Sequence, residues 1–177
     1  MAIWFFILAE LLAFGVFFVA YAFTRLNNIE LFDTYQRLLD TRTGLINTLA
    51  LVTSSYFALR AVIAIRHGRS LHCARWLWGA IGLGGLFVVV KLFEFSVHTQ
   101  GGVTLSTNAF YMFYLSLTFF HFMHVLMGMV ILGVVAWKAG HGGYSAREHT
   151  GVETGAAYWH MVDLVWLILF PLVYVMR

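Results

Sequence analysis

Seven carboxyl and imidazole side chains lie within or at the ends of long apolar segments, where a charge is costly. A charged group at the centre of a bilayer costs at least ~2.5–3.5 kcal/mol, and such residues mark proton pathways, ligand sites or polar contacts between helices. These residues are Glu10, Glu94, His121, His124, Glu153, His160 and Asp163. They are the candidates for a buried polar network that carries protons or contacts lipid headgroups.

The spacing of the first two glutamates predicts different surroundings for each. Lys91 and Glu94 are three residues apart and are therefore neighbours on one helical face. We expect them to form an ion pair whose lysine snorkels toward the membrane interface. Glu10 stands alone between Ala9 and Leu11. We therefore expect it to be a neutral, hydrogen-bonded carboxyl or to have a partner elsewhere in the protein.

The histidines fall into two groups by their spacing. His121 and His124 are three residues apart and lie on one side of a helix. Glu153, His160 and Asp163 follow at intervals of seven and three residues and share a helical face. This stripe begins at the membrane surface and must face other helices rather than lipid. Interhelical hydrogen bonds of this kind contribute ~0.6 kcal/mol each on average.

A metal or haem site is the alternative use of these side chains. Di-iron bundles place a glutamate three residues before a histidine on two helices, and neither His121 nor His160 has one there. A bis-histidine haem needs histidines on facing helices. Only two of the apolar segments carry membrane histidines, so at most one such haem could be built. We expect no metal, cofactor or catalytic centre in this chain. A stand-alone haem or metal oxidoreductase is the rival hypothesis, and a proton conductor or transporter is the third.

The composition identifies lipid as the main solvent of the chain. Of its 177 residues, 61% are hydrophobic and 11% are charged, whereas a soluble domain has about 25% charged residues. The bases that give the net charge of +3 are scattered singly, which argues against a nucleic-acid partner. Cys73 is the single cysteine, so no disulfide forms within the chain.

Five apolar stretches are long enough to cross a membrane, since a bilayer core needs about 20 residues per helix. We predict an all-α polytopic membrane protein with one transmembrane domain over residues 1–177. Its five helices are predicted at about 3–23, 44–65, 76–97, 109–137 and 155–176. The first lacks a basic segment before it and is predicted to be permanent rather than a cleaved signal. The connector 24–43 is predicted to contain a short amphipathic helix at the interface.

The basic residues of the connectors predict an orientation. The side of the N-terminus receives five of them, Arg66, Arg69, Arg75, Lys138 and Arg147, with Arg60 close by. The opposite side receives four, namely Arg25, Arg37, Arg42 and Arg177. By the positive-inside rule, the N-terminus is predicted to be cytoplasmic and the C-terminus to lie outside.

Several motifs, in order along almost the whole chain, resemble subunit III of the haem-copper oxidase superfamily. Residues 5–14, which contain Glu10, are similar to its Phe-Phe-x-x-Ser-Glu segment, and Glu94 falls where its Glu-Tyr or Glu-Phe pair lies. Residues 45–48 resemble its Leu-Leu-Asn-Thr helix start. Residues 118–128 resemble its Thr-Gly-x-His-x-x-His-Val-x-x-Gly signature. Residues 151–153 and 158–166 resemble its final helix.

The sequence departs from this pattern at a few places. Phe119 stands where the family has glycine, and Ala9 stands where it has serine. The two N-terminal helices of the seven-helix form are absent from the resemblance. The first connector and the segment 47–55 look most like the five-helix NorE-type protein associated with nitric oxide reductases.

The resemblance implies an accessory, cofactor-free subunit in the bacterial inner membrane. Its implied partners are phospholipid, a haem-copper superfamily catalytic subunit that holds haem and iron or copper, and the cytochrome c subunit of that complex. Nitric oxide reductase, hence denitrification, is the first expectation. Subunit III of an aerobic cytochrome c or quinol oxidase is the alternative. The implied role is to stabilise the catalytic subunit, bind lipid and support proton supply, with Glu10 and either His160 or His121 as network partners.

Overall fold

The computed structural model describes residues 2–176, and all regular structure in this range is helical. Arg177, one of the bases in the orientation count, lies outside the described residues. In chain order the helices are α1 (Ala2–Asn27), α2 (Ile29–Gln36), α3 (Thr41–Arg66), α4 (Ser70–Gln100), α5 (Ala109–Gly140) and α6 (Thr150–Phe170). A π-helical turn, Pro171–Val175, continues α6 to the end of the described chain.

Five of these segments are long and apolar enough to cross a membrane: α1, α3, α4, α5, and α6 together with its π-turn. This confirms the predicted all-α, multi-pass fold. The helices extend beyond the apolar stretches, most clearly in α4, whose 31 residues measure about 46 Å. Apolar residues are required over the hydrocarbon core of ~30 Å, whereas backbone hydrogen bonding continues into the interface on either side.

Short connectors make successive long helices antiparallel, and side-chain caps fix where two of them begin. Asp40 precedes α3 and accepts hydrogen bonds from the Arg42 backbone N–H, at 3.1 Å, and from the Thr43 hydroxyl. Asn108 precedes α5 and accepts from the Tyr111 N–H at 2.9 Å. These caps satisfy amides that have no partner within the helix.

The core lies among α3, α4, α5 and α6, with α6 in contact with both α3 and α5. Trp159 of α6 is fully buried where α4 and α5 approach it. A Cβ atom at Gly84 would lie 2.7 Å from the Trp159 ring, and one at Gly128 would lie 2.8 Å from it. Two helices therefore need glycine to make room for one indole.

The first helix packs against the flank formed by α5 and α6. Its buried side chains, Ile7, Phe14 and Tyr21, recur every seven residues and form one narrow stripe. Large apolar side chains such as Phe5 and Leu12 are exposed on its other faces. These faces are suited to lipid or to another membrane helix.

The connector between α1 and α3 contains the predicted interfacial helix, α2. Phe32 of α2 packs edge-on against Phe110, with ring centroids 5.5 Å apart. The Gln36 amide donates to the Val173 carbonyl at 2.7 Å and to the Leu172 carbonyl at 3.2 Å. Both carbonyls belong to the π-turn, so α2 satisfies backbone acceptors at the end of the last membrane span.

Candidate functional site

Six of the seven candidate residues fall into three separate polar clusters, and His121 lies outside them. The first is the Glu10–His124 pair, which joins α1 to α5. Glu10 Oε2 lies 2.8 Å from His124 Nε2, and His124 Nδ1 lies 2.7 Å from the Phe120 carbonyl oxygen. Phe14 and Phe120 pack around the imidazole, with ring centroids 5.2 and 4.7 Å from it.

The hydrogen bonds of His124 determine how many protons this pair holds. A carbonyl oxygen can only accept, so Nδ1 carries a hydrogen and donates it to Phe120. One proton then remains for the bond between Glu10 and Nε2. Either a carboxylic acid donates to neutral imidazole, or imidazolium donates to carboxylate. The pair is neutral overall in both forms, which limits the cost of placing it in an apolar region.

The predicted partners of Glu10 were wrong, because neither His121 nor His160 contacts it. His121 is fully buried, and its Nε2 lies 2.9 Å from the Val162 carbonyl oxygen of α6. His121 and His124 lie on one side of α5, but His121 faces the core and His124 faces α1. The two imidazoles, three residues apart, differ in direction by only about 60° around the helix axis. The sequence spacing therefore does not distinguish the core contact from the α1 contact.

The second cluster is a tetrad formed by Lys91, Glu94, Tyr114 and Tyr174. Lys91 Nζ donates to Glu94 Oε2 at 2.8 Å and to the Tyr174 hydroxyl at 2.6 Å. Tyr174 in turn donates to Glu94 Oε1 at 2.7 Å, and Tyr114 donates to the same oxygen. One ion pair with two tyrosine donors therefore links α4, α5 and the π-turn.

The predicted ion pair is present, but the prediction that Lys91 snorkels to the interface was wrong. Lys91 is 0% exposed. Its Nζ lies 5.0 Å from the Trp166 ring centroid and 5.1 Å from that of Tyr174. These rings surround the ammonium and contribute cation–π attraction. The spacing of Lys91 and Glu94 predicted the pair, whereas the two tyrosines were missed because they lie far away in the sequence.

The third cluster lies between α3 and α6. The Ser55 hydroxyl and His160 Nδ1 share a hydrogen bond, and Asp163 is buried one helical turn further along α6. Asp163 Oδ1 has no hydrogen-bond partner among residues 2–176. Glu153, at the membrane end of the same stripe, accepts from Arg66 Nη2 at 2.7 Å. As predicted, this stripe faces another helix.

Two tryptophans strengthen the same contact between helices. Trp159 Nε1 donates to the Ser54 hydroxyl at 2.9 Å, and Ser54 donates to the Ala80 carbonyl at 2.7 Å. Trp166 Nε1 donates to the Thr48 hydroxyl at 2.9 Å. Indole N–H groups in an apolar core need such acceptors. The hydroxyl-bearing face of α3 therefore matches the tryptophans of α6.

The three membrane histidines do not converge on one point. His121, His124 and His160 hydrogen-bond respectively to Val162, Glu10 and Ser55. Across residues 2–176, no three side chains of histidine, cysteine, aspartate or glutamate are grouped so that they could hold a metal ion. The geometry is that of polar contacts between helices, with one transferable proton at Glu10 and His124.

Comparison with known proteins gives one consistent family. The profile described as cytochrome c oxidase subunit III matches residues 1–177. Cytochrome c oxidase subunit 3 of Thermostichus vulcanus is 32% identical over 97% of this chain and 84% of its own length. That of Synechocystis sp. is 34% identical over 74% of this chain and 55% of its own length. The haem-copper oxidase subunit I+III of Aeropyrum pernix is 30% identical over 98% of this chain and 22% of its own length.

Proposed function

The chain belongs to the cytochrome c oxidase subunit III family, and we propose that it is the accessory subunit III of an aerobic haem-copper terminal oxidase. The observation that carries this proposal is the match of the family profile to residues 1–177. The five membrane spans agree with it. The relatives described above carry oxidase names, which favours the aerobic alternative over the nitric oxide reductase expected from the first connector.

The proposed partner is the catalytic subunit of such an oxidase, which would hold the haem and the iron or copper. The name of the Aeropyrum pernix relative joins subunits I and III in one chain, which supports direct packing of the two. The exposed apolar faces of the spans provide area for that contact. A cytochrome c subunit or a quinol would supply electrons to the partner rather than to this chain.

The proposed contribution of this chain is to stabilise the catalytic subunit, bind phospholipid and support proton supply. The tetrad and the contact between α3 and α6 make the bundle rigid by fixing the last span to α3, α4 and α5. The Glu10–His124 pair holds one proton at a partly exposed position, since their side chains are 21% and 11% exposed. A proton at that position can exchange with water at the exposed edge of the pair.

Capture of the native complex tests the proposal. The full chain, tagged and expressed in its own host, would be purified from membranes in mild detergent. We expect a haem-containing catalytic subunit to copurify, and the complex to consume oxygen with reduced cytochrome c or quinol. Copurification with a complex that reduces nitric oxide but not oxygen would show that the first expectation was right. Absence of any haem protein would contradict both.

The rival hypothesis of a stand-alone haem enzyme has a separate test. The chain would be produced without the catalytic subunit in cells that make haem. We expect no stoichiometric visible haem band. A band that is lost on substitution of His121, His124 or His160 would defeat the accessory role.

A further inference from the structure

The connection between α3 and α4 borders a basic pocket that is separate from the three polar clusters. Its volume is about 390 Å³, and its lining includes Arg60, Ile63, His67, Arg69, His72 and Trp76. The last turns of α3 form one wall and the first turns of α4 form the other. The pocket therefore opens at the membrane surface, on the side where α1 begins.

The cations of this pocket are not neutralised by the protein. Arg66, just outside it, is paired with Glu153. In contrast, neither Arg60 nor Arg69 makes an ion pair within residues 2–176. The Arg60 guanidinium lies 5.4 Å from the Trp76 ring centroid, and this cation–π contact orders its long side chain. Two positive charges thus border one cavity, and the one on Arg60 is held against an aromatic ring.

The start of α4, which meets the end of α3 at the pocket, favours an anion as well. The carbonyls at the end of α3 are satisfied, because Gly68 N–H donates to Ile65 at 2.8 Å and Arg69 N–H donates to Ala64 at 3.0 Å. The start of α4 has Arg69 at its N-cap position, with no side-chain hydrogen bond to the first amides. The open positive end of a 31-residue helix therefore faces the side of the membrane on which the two arginines lie.

The depth and the walls of the pocket indicate the kind of anion. Arg60 lies one to two turns inside α3, about 9 Å from its end at Arg66. Ile63, Ala64 and Trp76 provide apolar walls beside it. Tryptophan at this level is typical of the membrane interface. A small hydrated anion gains little from apolar walls. In a lipid, by contrast, the phosphate matches the arginines, and the glycerol and upper acyl chains match the apolar walls.

We propose that this pocket binds an anionic phospholipid, with its phosphate between Arg60 and Arg69 and its acyl chains along the outer faces of α3 and α4. Basic pockets between helices at the membrane surface bind such headgroups. Leu59 and Ile63 of α3 are exposed on the membrane side of the pocket and would contact the chains. This site gives a location to the phospholipid binding of the proposed function, on which it rests in that respect. It is separate from the Glu10–His124 pair and does not depend on which oxidase the chain joins.

Native mass spectrometry of the full chain in detergent tests the site by titration with dioleoyl phosphatidylglycerol or dioleoyl phosphatidylcholine. We expect preferential binding of phosphatidylglycerol. Replacing both Arg60 and Arg69 by Gln is expected to weaken that binding by about fivefold for each guanidinium removed. The matched control replaces Lys138 and Arg147 by Gln, which removes two positive charges on the same side but outside the pocket. It is expected to keep the binding.

A second measurement locates the lipid. Phosphatidylglycerol with brominated acyl chains is expected to quench tryptophan fluorescence, with part of the quenching lost in Trp76→Phe. Circular dichroism would verify that each variant is folded. If the double variant does not fold, Arg69→Gln alone, at an exposed connector position, repeats the test with about half of the effect on binding free energy.

Three results would overturn the proposal. Equal losses in the two double variants would mean that general surface charge attracts the lipid. Unchanged binding in the double variant at Arg60 and Arg69 would exclude the pocket. The third result is complete displacement of phosphatidylglycerol by excess inorganic phosphate but not by a phosphate-free buffer of equal ionic strength. It would identify a site for free phosphate rather than for lipid.

Discussion

At the scale of single residues, the chemistry of this protein depends on which hydrogen-bond partner each buried polar group finds. His124 has its Nδ1 hydrogen committed to the Phe120 carbonyl, so its Nε2 must share one proton with Glu10. Lys91 and Glu94 instead form a buried ion pair, with Tyr114 and Tyr174 completing their hydrogen bonds. The two clusters therefore predict different responses to substitution.

Replacement of Glu10 by Gln distinguishes the role of the hydrogen bond to His124 from the role of the proton that the carboxyl can exchange. The amide can still donate to His124 Nε2, so we expect the thermal unfolding midpoint of the purified chain to remain within a few degrees. Proton exchange at this position is lost, and we expect the oxidase complex to lose activity severalfold sooner during turnover. Glu10→Leu, which loses the hydrogen bond as well, should also weaken the attachment of α1. Unchanged stability, lipid content and turnover lifetime in Glu10→Gln would contradict a role in proton supply.

Removal of either charge from the tetrad leaves the other one buried. Breaking a buried pair in this way costs about 3–5 kcal/mol, so Lys91→Met and Glu94→Gln should each destabilise the bundle strongly. The double variant should be less destabilised than the sum of the two, by at least about 1 kcal/mol. Equilibrium unfolding in detergent measures all three. Lys138→Met, at an exposed lysine of α5, is the control, and simple additivity at Lys91 and Glu94 would show that they do not act as a pair.

At the scale of helices, a few small or capping residues determine where the spans start and how closely they approach. Gly84 and Gly128 let α4 and α5 close around Trp159. Asp40 fixes the first turn of α3 from outside the membrane. Gly84 belongs to a run of small residues that is typical of close helix packing, but that run does not indicate which glycine meets the indole.

Alanine at Gly84 or Gly128 should destabilise the bundle by about 1–3 kcal/mol, because the added methyl group overlaps the Trp159 ring. Gly82→Ala and Gly133→Ala are the matched controls on the same two helices, since a Cβ there would have no neighbour within 4 Å. We expect these controls to be neutral or stabilising by about 0.5–1 kcal/mol, the usual effect of alanine in a helix. Thermal unfolding in detergent compares the four. Equal effects at all four positions would exclude a specific fit to Trp159.

Asp40 links the stability of α3 to pH. The Thr43 hydroxyl, with backbone N–H donors, lowers the pKa of this carboxyl below its ordinary value of 3.8. A lowered folded-state pKa gives stability above the unfolded pKa that is lost as the pH falls through the folded one. Asp40→Ala should cost about 1 kcal/mol at neutral pH, and this difference should shrink below about pH 4. Asp40→Asn keeps the cap without the charge. If this variant loses as much stability at low pH as the unsubstituted chain does, the effect belongs to another group.

At the scale of the whole molecule, lipid as solvent makes the five spans predictable, whereas contacts between spans are not. Apolar runs of about 20 residues identify the helices because unpaired backbone groups cannot remain in hydrocarbon. The pairing of Lys91 with Glu94 follows from their spacing on one helix. Glu10 and His124 are separated by 114 positions, and the depth and rotation that bring them together depend on how α1 packs. The same reason explains why Tyr114 and Tyr174 were missed.

The orientation of the bundle is a further prediction for the intact membrane. We propose that the connectors at residues 67–69 and 141–149 are cytoplasmic, because these connectors and the helix ends beside them carry five basic residues, against four on the opposite side. A cysteine introduced at Ser145 should then resist a membrane-impermeant maleimide added to intact spheroplasts, while one at Thr104 should react. Cys73 is buried and gives little background. The reverse labelling pattern would invert the orientation.

The π-turn at the end of the last span has an angular consequence for the buried charges. Met176 N–H bonds to the Pro171 carbonyl at 2.7 Å, five residues back, and each such turn contains about one residue more than an α-helical turn. Compared with a continuous α-helix, side chains after the π-turn are therefore rotated about the helix axis by about 100°, the rotation of one helical residue. Tyr174 lies inside this turn. The direction in which its side chain leaves the helix, toward Lys91, therefore depends on the unwinding that begins at Pro171. Pro171, which has no polar side chain, thus marks the point where the helix rotation changes. That change helps to place the Tyr174 hydroxyl beside the Lys91 ammonium.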